Sequence, residues 1–153
     1  RILYIKIKSS KLIVMKNKLY LSWNWVDEQI HSIGDKLEGL DLEFVSGIPR
    51  GGLIPAVMMS HAFDIKYISY SSAKMLPGEL KKKTLVIDDI SDTGVTMAEA
   101  DQSKFVTASL CCRLGTKTLP RFTGETISDD RWLVFPWETL DSNPVQDYLV
   151  NKK

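Results

Sequence analysis

The sequence contains few cysteines and histidines and no long apolar segment, and each of these shortages excludes a class of protein. Its only two cysteines, Cys111 and Cys112, are neighbours. Neighbouring side chains of a strand point to opposite faces, so a disulfide between them is disfavoured. Two histidines in 153 residues offer no cluster with zinc-ligand spacing. No apolar run approaches the roughly 20 residues that cross a bilayer. The sequence therefore predicts a reduced, cytoplasmic protein without a membrane segment.

The sequence also lacks an excess of charge of either sign. Lysine and arginine together number 20, and aspartate and glutamate together number 19. We therefore expect neither a nucleic-acid partner nor binding to an anionic membrane surface. Internal repeats and low-complexity segments are absent too. With 44% hydrophobic residues, the 153-residue chain can bury one core, which predicts a single domain.

The first fourteen residues precede a segment that begins at Met15. Residues 1–14 are basic and β-prone, but lysines interrupt every apolar run and no small-residue cleavage site follows, so an export signal is not predicted. Two interpretations of residues 1–14 stay open, an extension upstream of the domain or a genuine added strand. The domain itself is predicted to span residues 15–153.

A strand followed by acids and a polar turn is predicted at residues 84–96, which read T-L-V-I-D-D-I-S-D-T-G-V-T. Residues 84–87 are β-prone without polar alternation, as is typical of a strand buried on both faces of a parallel sheet. Asp88 and Asp89 follow at its carboxyl end, where ligands of open α/β sheets bind. The polar turn after them leads into a predicted helix, and a helix N-terminus favours anions.

The acids and the turn offer two different chemistries within a short stretch of chain. Adjacent carboxylates suit vicinal hydroxyls or a hydrated Mg²⁺ ion, whereas hydroxyls and a glycine at a helix N-terminus suit a phosphate. A sugar phosphate carries both kinds of group. An ordinary aspartate-rich turn is the alternative interpretation.

This segment resembles the phosphoribosyl-pyrophosphate (PRPP) motif of the type I phosphoribosyltransferases, a hydrophobic strand, two acids and then D-T-G-x-T. The resemblance implies an α/β fold with a mainly parallel central sheet flanked by helices and a small base-binding hood formed by the terminal segments. It also implies that Asp88 and Asp89 hold the ribose hydroxyls and Mg²⁺. The implied residues of the 5′-phosphate site are Ser91, Asp92, Thr93, Gly94, Val95 and Thr96.

A second strand, glycine loop and helix occur earlier in the chain. The residues L-E-F-V-S at 42–46 predict a strand, and a helix is predicted from Leu53. The loop between them resembles the pyrophosphate loop of purine-type members of the family, although any tight loop could contain P-R-G-G. Glycines allow the backbone to approach an anion, and arginine adds a forked donor. Related enzymes often hold a non-proline cis peptide there, which predicts one at the Pro49–Arg50 bond. The predicted pyrophosphate-binding residues are Pro49, Arg50, Gly51 and Gly52.

The connection between this loop and the acid-bearing strand is predicted to contain a further strand, at residues 65–71. In the family, the segment that follows is a flexible flap that closes over the reaction centre and excludes water. Here residues 72–83 are short for a flap, and Pro77-Gly78 marks a turn. Lys81 to Lys83 could steer an anionic substrate, but a solvated lysine face is the favoured interpretation.

Base-binding candidates lie in the last third of the chain. Residues 105–112 predict a strand that ends at Arg113, and residues 130–138 resemble the W-x-x-x-P-W segment of xanthine/guanine-type members. The resemblance implies that Trp132 stacks on the purine, that backbone near Leu133 contacts the ring substituent at C2, and that Arg113 donates to the exocyclic oxygen of the base. In the alternative interpretation, Trp132 and Trp137 only cover the core.

The predicted reaction is transfer of the 5-phosphoribosyl group from PRPP to hypoxanthine, guanine or xanthine, with release of pyrophosphate, in purine salvage. Arg50 and Mg²⁺ would neutralise the leaving pyrophosphate, and Asp92 is the candidate general base. The resemblance also implies a homo-oligomer, a dimer or a tetramer. Two other functions stay open. One is a regulatory or nucleotide-binding protein with little activity, and the other is a transferase for a pyrimidine or another nucleobase-like acceptor.

Overall fold

The computed structural model describes residues 13–15, 17–128 and 130–140. Residues 1–12, most of the predicted extension, lie outside this part of the chain. The elements in chain order are β1 (Ile13–Met15), β2 (Lys18–Tyr20), α1 (Trp23–Lys36), β3 (Phe44–Gly47), α2 (Leu53–Phe63), β4 (Lys66–Tyr67), α3 (Tyr70–Lys74), α4 (Gly78–Lys81), β5 (Thr84–Ser91), α5 (Val95–Gln102), β6 (Val106–Arg113), β7 (Phe122–Ile127) and β8 (Trp132–Val134). The described residues form two compact units, a central unit between residues 27 and 129 and a terminal unit made of the described residues on either side of it.

The central unit contains a five-stranded sheet in the order β4-β3-β5-β6-β7. Every neighbouring pair in this sheet is parallel. Strand β5 lies in the middle, and its residues Leu85, Val86 and Ile87 are completely buried, as its unbroken apolar run predicts. Helix α2 packs against β3 and β5, and α5 packs against β5 and β6. The predicted fold, a parallel central sheet flanked by helices, is confirmed.

The terminal unit contains a three-stranded sheet in the order β1-β2-β8. Strands β1 and β2 are antiparallel, and β2 and β8 are parallel. Ile13 pairs with Tyr20, and Val14 pairs with Leu19, so the last two residues of the predicted extension belong to a strand of this sheet.

The predicted strand over residues 65–71 is wrong for most of its length. Only Lys66–Tyr67 is strand, and Tyr70–Lys74 is the helix α3. The Ser69 hydroxyl accepts a hydrogen bond from the Ser72 amide at 3.1 Å, and a serine in this position is a favoured start for a helix. The cap therefore outweighs the β-propensity of the isoleucine and tyrosine residues in this stretch.

The connection predicted as a flap, residues 72–83, consists largely of the short helices α3 and α4. Its lysines have nearby partners. Lys82 Nζ lies 2.8 Å from Glu79, and Lys83 Nζ lies 2.7 Å from Asp41 and 2.8 Å from Glu43. These contacts support the interpretation of the lysines as a solvated face, because nearby carboxylates match the charges of Lys82 and Lys83.

Strand β7 is not predicted by the sequence analysis. Its residues F-T-G-E-T-I contain a glycine and a glutamate, which are depleted in strands. The glycine is required by packing, because a Cβ at Gly124 would overlap the carbonyl oxygen of Leu110 and the side chain of Gln29.

Within the described residues, no helix is both long and apolar enough to cross a membrane.

Candidate active site

The two acids lie inside β5, which continues to Ser91 and does not end before them. Each carboxylate accepts a backbone hydrogen bond from the next residue. The Asp89 amide donates to Asp88 Oδ1 at 2.9 Å, and the Ile90 amide donates to Asp89 Oδ1 at 2.7 Å. These bonds hold both carboxylates close to the backbone at the carboxyl half of the central strand.

The carboxylates of Asp88 and Asp89 are neighbours and repel each other when both are charged. Burial raises the pKa of Asp88 well above its usual range, and the neighbouring Asp89 carboxylate raises it further. Such a pair gains from hydroxyl donors or a cation placed between the two carboxylates. Among the described residues, no group of three or more His, Cys, Asp or Glu could hold a metal. The acids fit a Mg²⁺ ion that takes its other ligands from water and substrate, as Mg²⁺ often does.

Tyr70 of α3 is close enough to Asp88 to feel its charge, and sequence reasoning missed it by assigning it to a strand. Burial raises the pKa of its phenol, and the carboxylates of Glu99 and Asp88 raise it further. Its ring packs at the edge of a cluster that includes Ile48 and Val86. The Ser69 hydroxyl, a typical helix cap, was the available signal for the helix that brings Tyr70 here.

The P-R-G-G loop lies directly against the acid-bearing strand. The Ile48 amide donates to the Ile87 carbonyl at 3.0 Å. A Cβ at Gly51 would overlap the carboxylate of Asp89, and a Cβ at Gly52 would overlap the carbonyl oxygen of Ile87. Glycine is needed at both positions because the two segments approach so closely. The fold thus brings the predicted pyrophosphate loop and the predicted ribose-binding acids together.

The predicted cis peptide between Pro49 and Arg50 is confirmed. Arg50 itself is exposed, at the turn that precedes the first residue of α2. A guanidinium in this position can reach an anion bound at the helix N-terminus.

The polar turn, residues 91–94, connects β5 to α5. Gly94 has a φ of +82°, a backbone conformation that glycine adopts without strain. The Val95 amide donates to Thr93 Oγ1 at 3.4 Å. Ser91 is only 3% exposed, so its side chain is less accessible to a phosphate than the side chains of Asp92 and Thr93. The turn and the first amides of α5 form the arrangement that anions favour.

The β6–β7 connection packs against this turn. Arg113 Nε lies 3.2 Å from Asp92 Oδ1. Thr116 Oγ1 lies 3.0 Å from the Ser91 carbonyl and 2.8 Å from the Asp92 carbonyl. Sequence reasoning missed Thr116, because a threonine after Gly115 indicates only a turn.

The remaining predicted base-binding residues, Trp132 and Leu133, lie in β8 of the terminal unit. Leu133 is buried, at 4% exposure. The indole Nε1 of Trp132 is buried and has no hydrogen-bond partner among the described residues. Trp137 stacks on Phe135 with ring centroids 4.9 Å apart, which supports a packing role for Trp137.

Comparison with known proteins finds purine phosphoribosyltransferases among the similar proteins, although no family model matches the sequence. The xanthine-guanine phosphoribosyltransferase of Cereibacter sphaeroides is 25% identical over 145 residues, which cover 78% of this chain and 86% of the relative. The enzyme of the same name from Desulfotalea psychrophila is 28% identical over 140 residues, covering 78% and 85%. The crystal structure of a purine phosphoribosyltransferase from Pyrococcus horikoshii superimposes with a TM-score of 0.67 at 30% identity, covering 85% of this chain and 99% of that one.

Proposed function

The chain belongs to the type I phosphoribosyltransferase family, and we propose that it transfers the 5-phosphoribosyl group from PRPP to a 6-oxopurine, releasing pyrophosphate, in purine salvage. Its substrates would be hypoxanthine, guanine or xanthine. The relatives named for xanthine and guanine support a purine as the acceptor.

The observation that carries this proposal is the contact between the P-R-G-G loop and the acid pair. Gly51 lies so close to the Asp89 carboxylate that a side chain there would overlap it. PRPP carries its pyrophosphate on C1′, next to the 2′ and 3′ hydroxyls of the ribose. A loop for the pyrophosphate must therefore lie beside the acids that hold those hydroxyls, and these two segments satisfy that requirement.

In the proposed site, Asp88 and Asp89 accept hydrogen bonds from the ribose hydroxyls and hold the ring still as the bond at C1′ breaks. The turn from Ser91 to Gly94, with Val95 and Thr96 at the start of α5, binds the 5′-phosphate at the opposite end of the sugar. Fixing both ends of the ribose removes the rotational freedom that would otherwise oppose the reaction.

Charge develops at two places as the bond breaks. The sugar gains oxocarbenium character, and the departing pyrophosphate gains negative charge. Arg50 neutralises the pyrophosphate, and the backbone at Gly51 and Gly52 can approach it closely. Asp88 and Asp89 would hold Mg²⁺, which when bound would supply further positive charge near the pyrophosphate.

The base would be bound by Arg113 and by residues of β8. Arg113 donates to the exocyclic oxygen, Trp132 stacks on the ring, and backbone at Leu133 contacts the C2 substituent. Asp92 accepts the proton that the base nitrogen loses. The ion pair between Arg113 and Asp92 supports assigning both residues to one end of the site, because they are in contact.

We further propose that the protein is a homo-oligomer, a dimer or a tetramer. Analytical ultracentrifugation of the full chain measures this directly. A single species with the mass of one chain, 17.3 kDa, would contradict it.

One experiment tests the function. The full chain is incubated with PRPP, Mg²⁺ and a panel of purines and pyrimidines, and pyrophosphate release is measured. We expect release with hypoxanthine, guanine or xanthine. Release only with a pyrimidine would show that the acceptor is a pyrimidine and not a purine. PRPP binding without pyrophosphate release would favour a regulatory or nucleotide-binding protein instead.

A further inference from the structure

Thr116 lies where three backbone carbonyl oxygens converge. Its Oγ1 is 3.0 Å from the carbonyl oxygen of Ser91, 2.8 Å from that of Asp92 and 2.8 Å from that of Arg113. Two of these carbonyls belong to the 5′-phosphate turn, and the third belongs to the end of β6. One side chain therefore connects the turn to the neighbouring strand.

The hydroxyl is the group of Thr116 that can donate to the carbonyls of the turn. It supplies a single proton that can be donated to any of the three acceptors in turn. A methyl group in its place would leave the carbonyls facing an apolar surface, and partly buried acceptors without a donor are costly. The position thus requires a small hydroxyl side chain.

The orientation of these carbonyls fixes the orientation of the turn amides. In a planar trans peptide, the C=O and the N–H point in opposite directions. The only cis peptide among the described residues is Pro49–Arg50. The carbonyls of Ser91 and Asp92 point at Thr116, so the amides of Asp92 and Thr93, in the same two peptide planes, point away from it. Peptide N–H groups aimed together form an anion-binding concavity.

A second contact holds the turn from the same side. A Cβ at Gly94 would overlap the backbone nitrogen and oxygen of Thr118. The β6–β7 connection therefore lies directly against the end of the turn, where Gly94 has a φ of +82°. The turn has little room to change shape while this connection stays in place.

We propose that Thr116 is a positioning residue for the 5′-phosphate turn. It does not touch the phosphate. It holds two carbonyls of the turn so that the amides of Asp92 and Thr93 face the ligand. The proposal rests on the proposed function, since it assigns Thr116 to the phosphate end of the PRPP site.

The test compares Thr116→Val with Thr116→Ser and with Thr126→Val. Thr126 is the matched control, because its hydroxyl faces Cys112 Sγ at 3.6 Å on the sheet and not the turn. We expect Thr116→Val to raise the KM for PRPP about tenfold, with kcat within about twofold of wild type, because the lost contact serves ground state and transition state equally. Thr116→Ser and Thr126→Val should keep the wild-type KM.

Calorimetric titration with ribose 5-phosphate separates this proposal from the proposed function, because it requires no turnover. If the wild type binds ribose 5-phosphate and Thr116→Val weakens that binding about tenfold, the positioning role is supported even in a protein that releases no pyrophosphate. Unchanged binding in Thr116→Val would overturn it. A wild type that does not bind ribose 5-phosphate would overturn it too, and an equal loss in Thr116→Ser or Thr126→Val would show a general packing effect.

Discussion

The Nε atom of Arg113 lies 3.2 Å from a carboxylate oxygen of Asp92, so an ion pair joins the end of β6 to the polar turn, residues 91–94. Sequence reasoning gave the two residues separate roles, a donor to the base and a general base. Their contact means that a change at either residue alters the surroundings of the other. A guanidinium has five N–H donors in a fixed fork, so the pairing at Nε also sets the direction of the other donors.

The base preference of the enzyme should follow from Arg113. An arginine at the edge of the ring pairs with the exocyclic oxygen of hypoxanthine but faces an amino donor in adenine. We expect hypoxanthine to be preferred by roughly 10²-fold in kcat/KM, which corresponds to a few kcal/mol. Measuring both rates under identical PRPP and Mg²⁺ concentrations tests this. Arg113→Leu should reduce the preference, whereas Arg121→Leu, on the same connection, should not. Equal rates for the two bases in the wild type would remove the role given to Arg113.

The acid pair should be essential for transfer but not for folding. Replacing both acids (Asp88→Asn with Asp89→Asn) removes the acceptors for the ribose hydroxyls, and we expect kcat/KM to fall by at least about a thousandfold. Pyrophosphate release measures the activity, and thermal denaturation reports the fold. Asp101→Asn is the matched control, because it replaces a carboxylate by a carboxamide at an exposed position of α5. Near-normal activity in the double variant would show that the ribose assignment is wrong.

Gly51 should tolerate no side chain. Alanine there would overlap the Asp89 carboxylate, so either the loop or the acid must move. Overpacking of this kind costs about 1–3 kcal/mol, and we expect a lower melting temperature together with a higher KM for PRPP. Gly78→Ala is the control, because nothing lies within 4 Å of a Cβ at that position. If Gly51→Ala matched Gly78→Ala in both measurements, the close contact between the loop and Asp89 would matter neither for stability nor for PRPP binding.

Removal of divalent cations should stop the reaction. Two adjacent carboxylates and a pyrophosphate leave uncompensated negative charge in the site, and Mg²⁺ neutralises it with few protein ligands. We expect pyrophosphate release to cease in EDTA and to return when excess Mg²⁺ is added. Full activity of the metal-depleted protein in EDTA would contradict the assignment of Asp88 and Asp89 as metal ligands.

Features that depend on local sequence were predictable. The run of buried residues in β5 is apolar without alternation, a pattern typical of a strand buried on both faces of a parallel sheet. The glycines after β3 and the polar turn before α5 follow from backbone geometry, because few other residues adopt such turns. The sequence therefore sufficed for strands β3, β5 and β6 of the central sheet, for the loops that follow β3 and β5, and for the family resemblance.

Features that depend on distant partners were decided by the tertiary structure alone. Strand β7 has weak propensity and exists because its backbone pairs with β6. Gly51 lies against Asp89, Arg113 contacts Asp92, and Thr116 contacts the carbonyls of Ser91 and Asp92. Each of these contacts joins segments that are separate in the chain. Residue type indicates which hydrogen bonds a side chain can make, but only the folded backbone determines which partners come within reach.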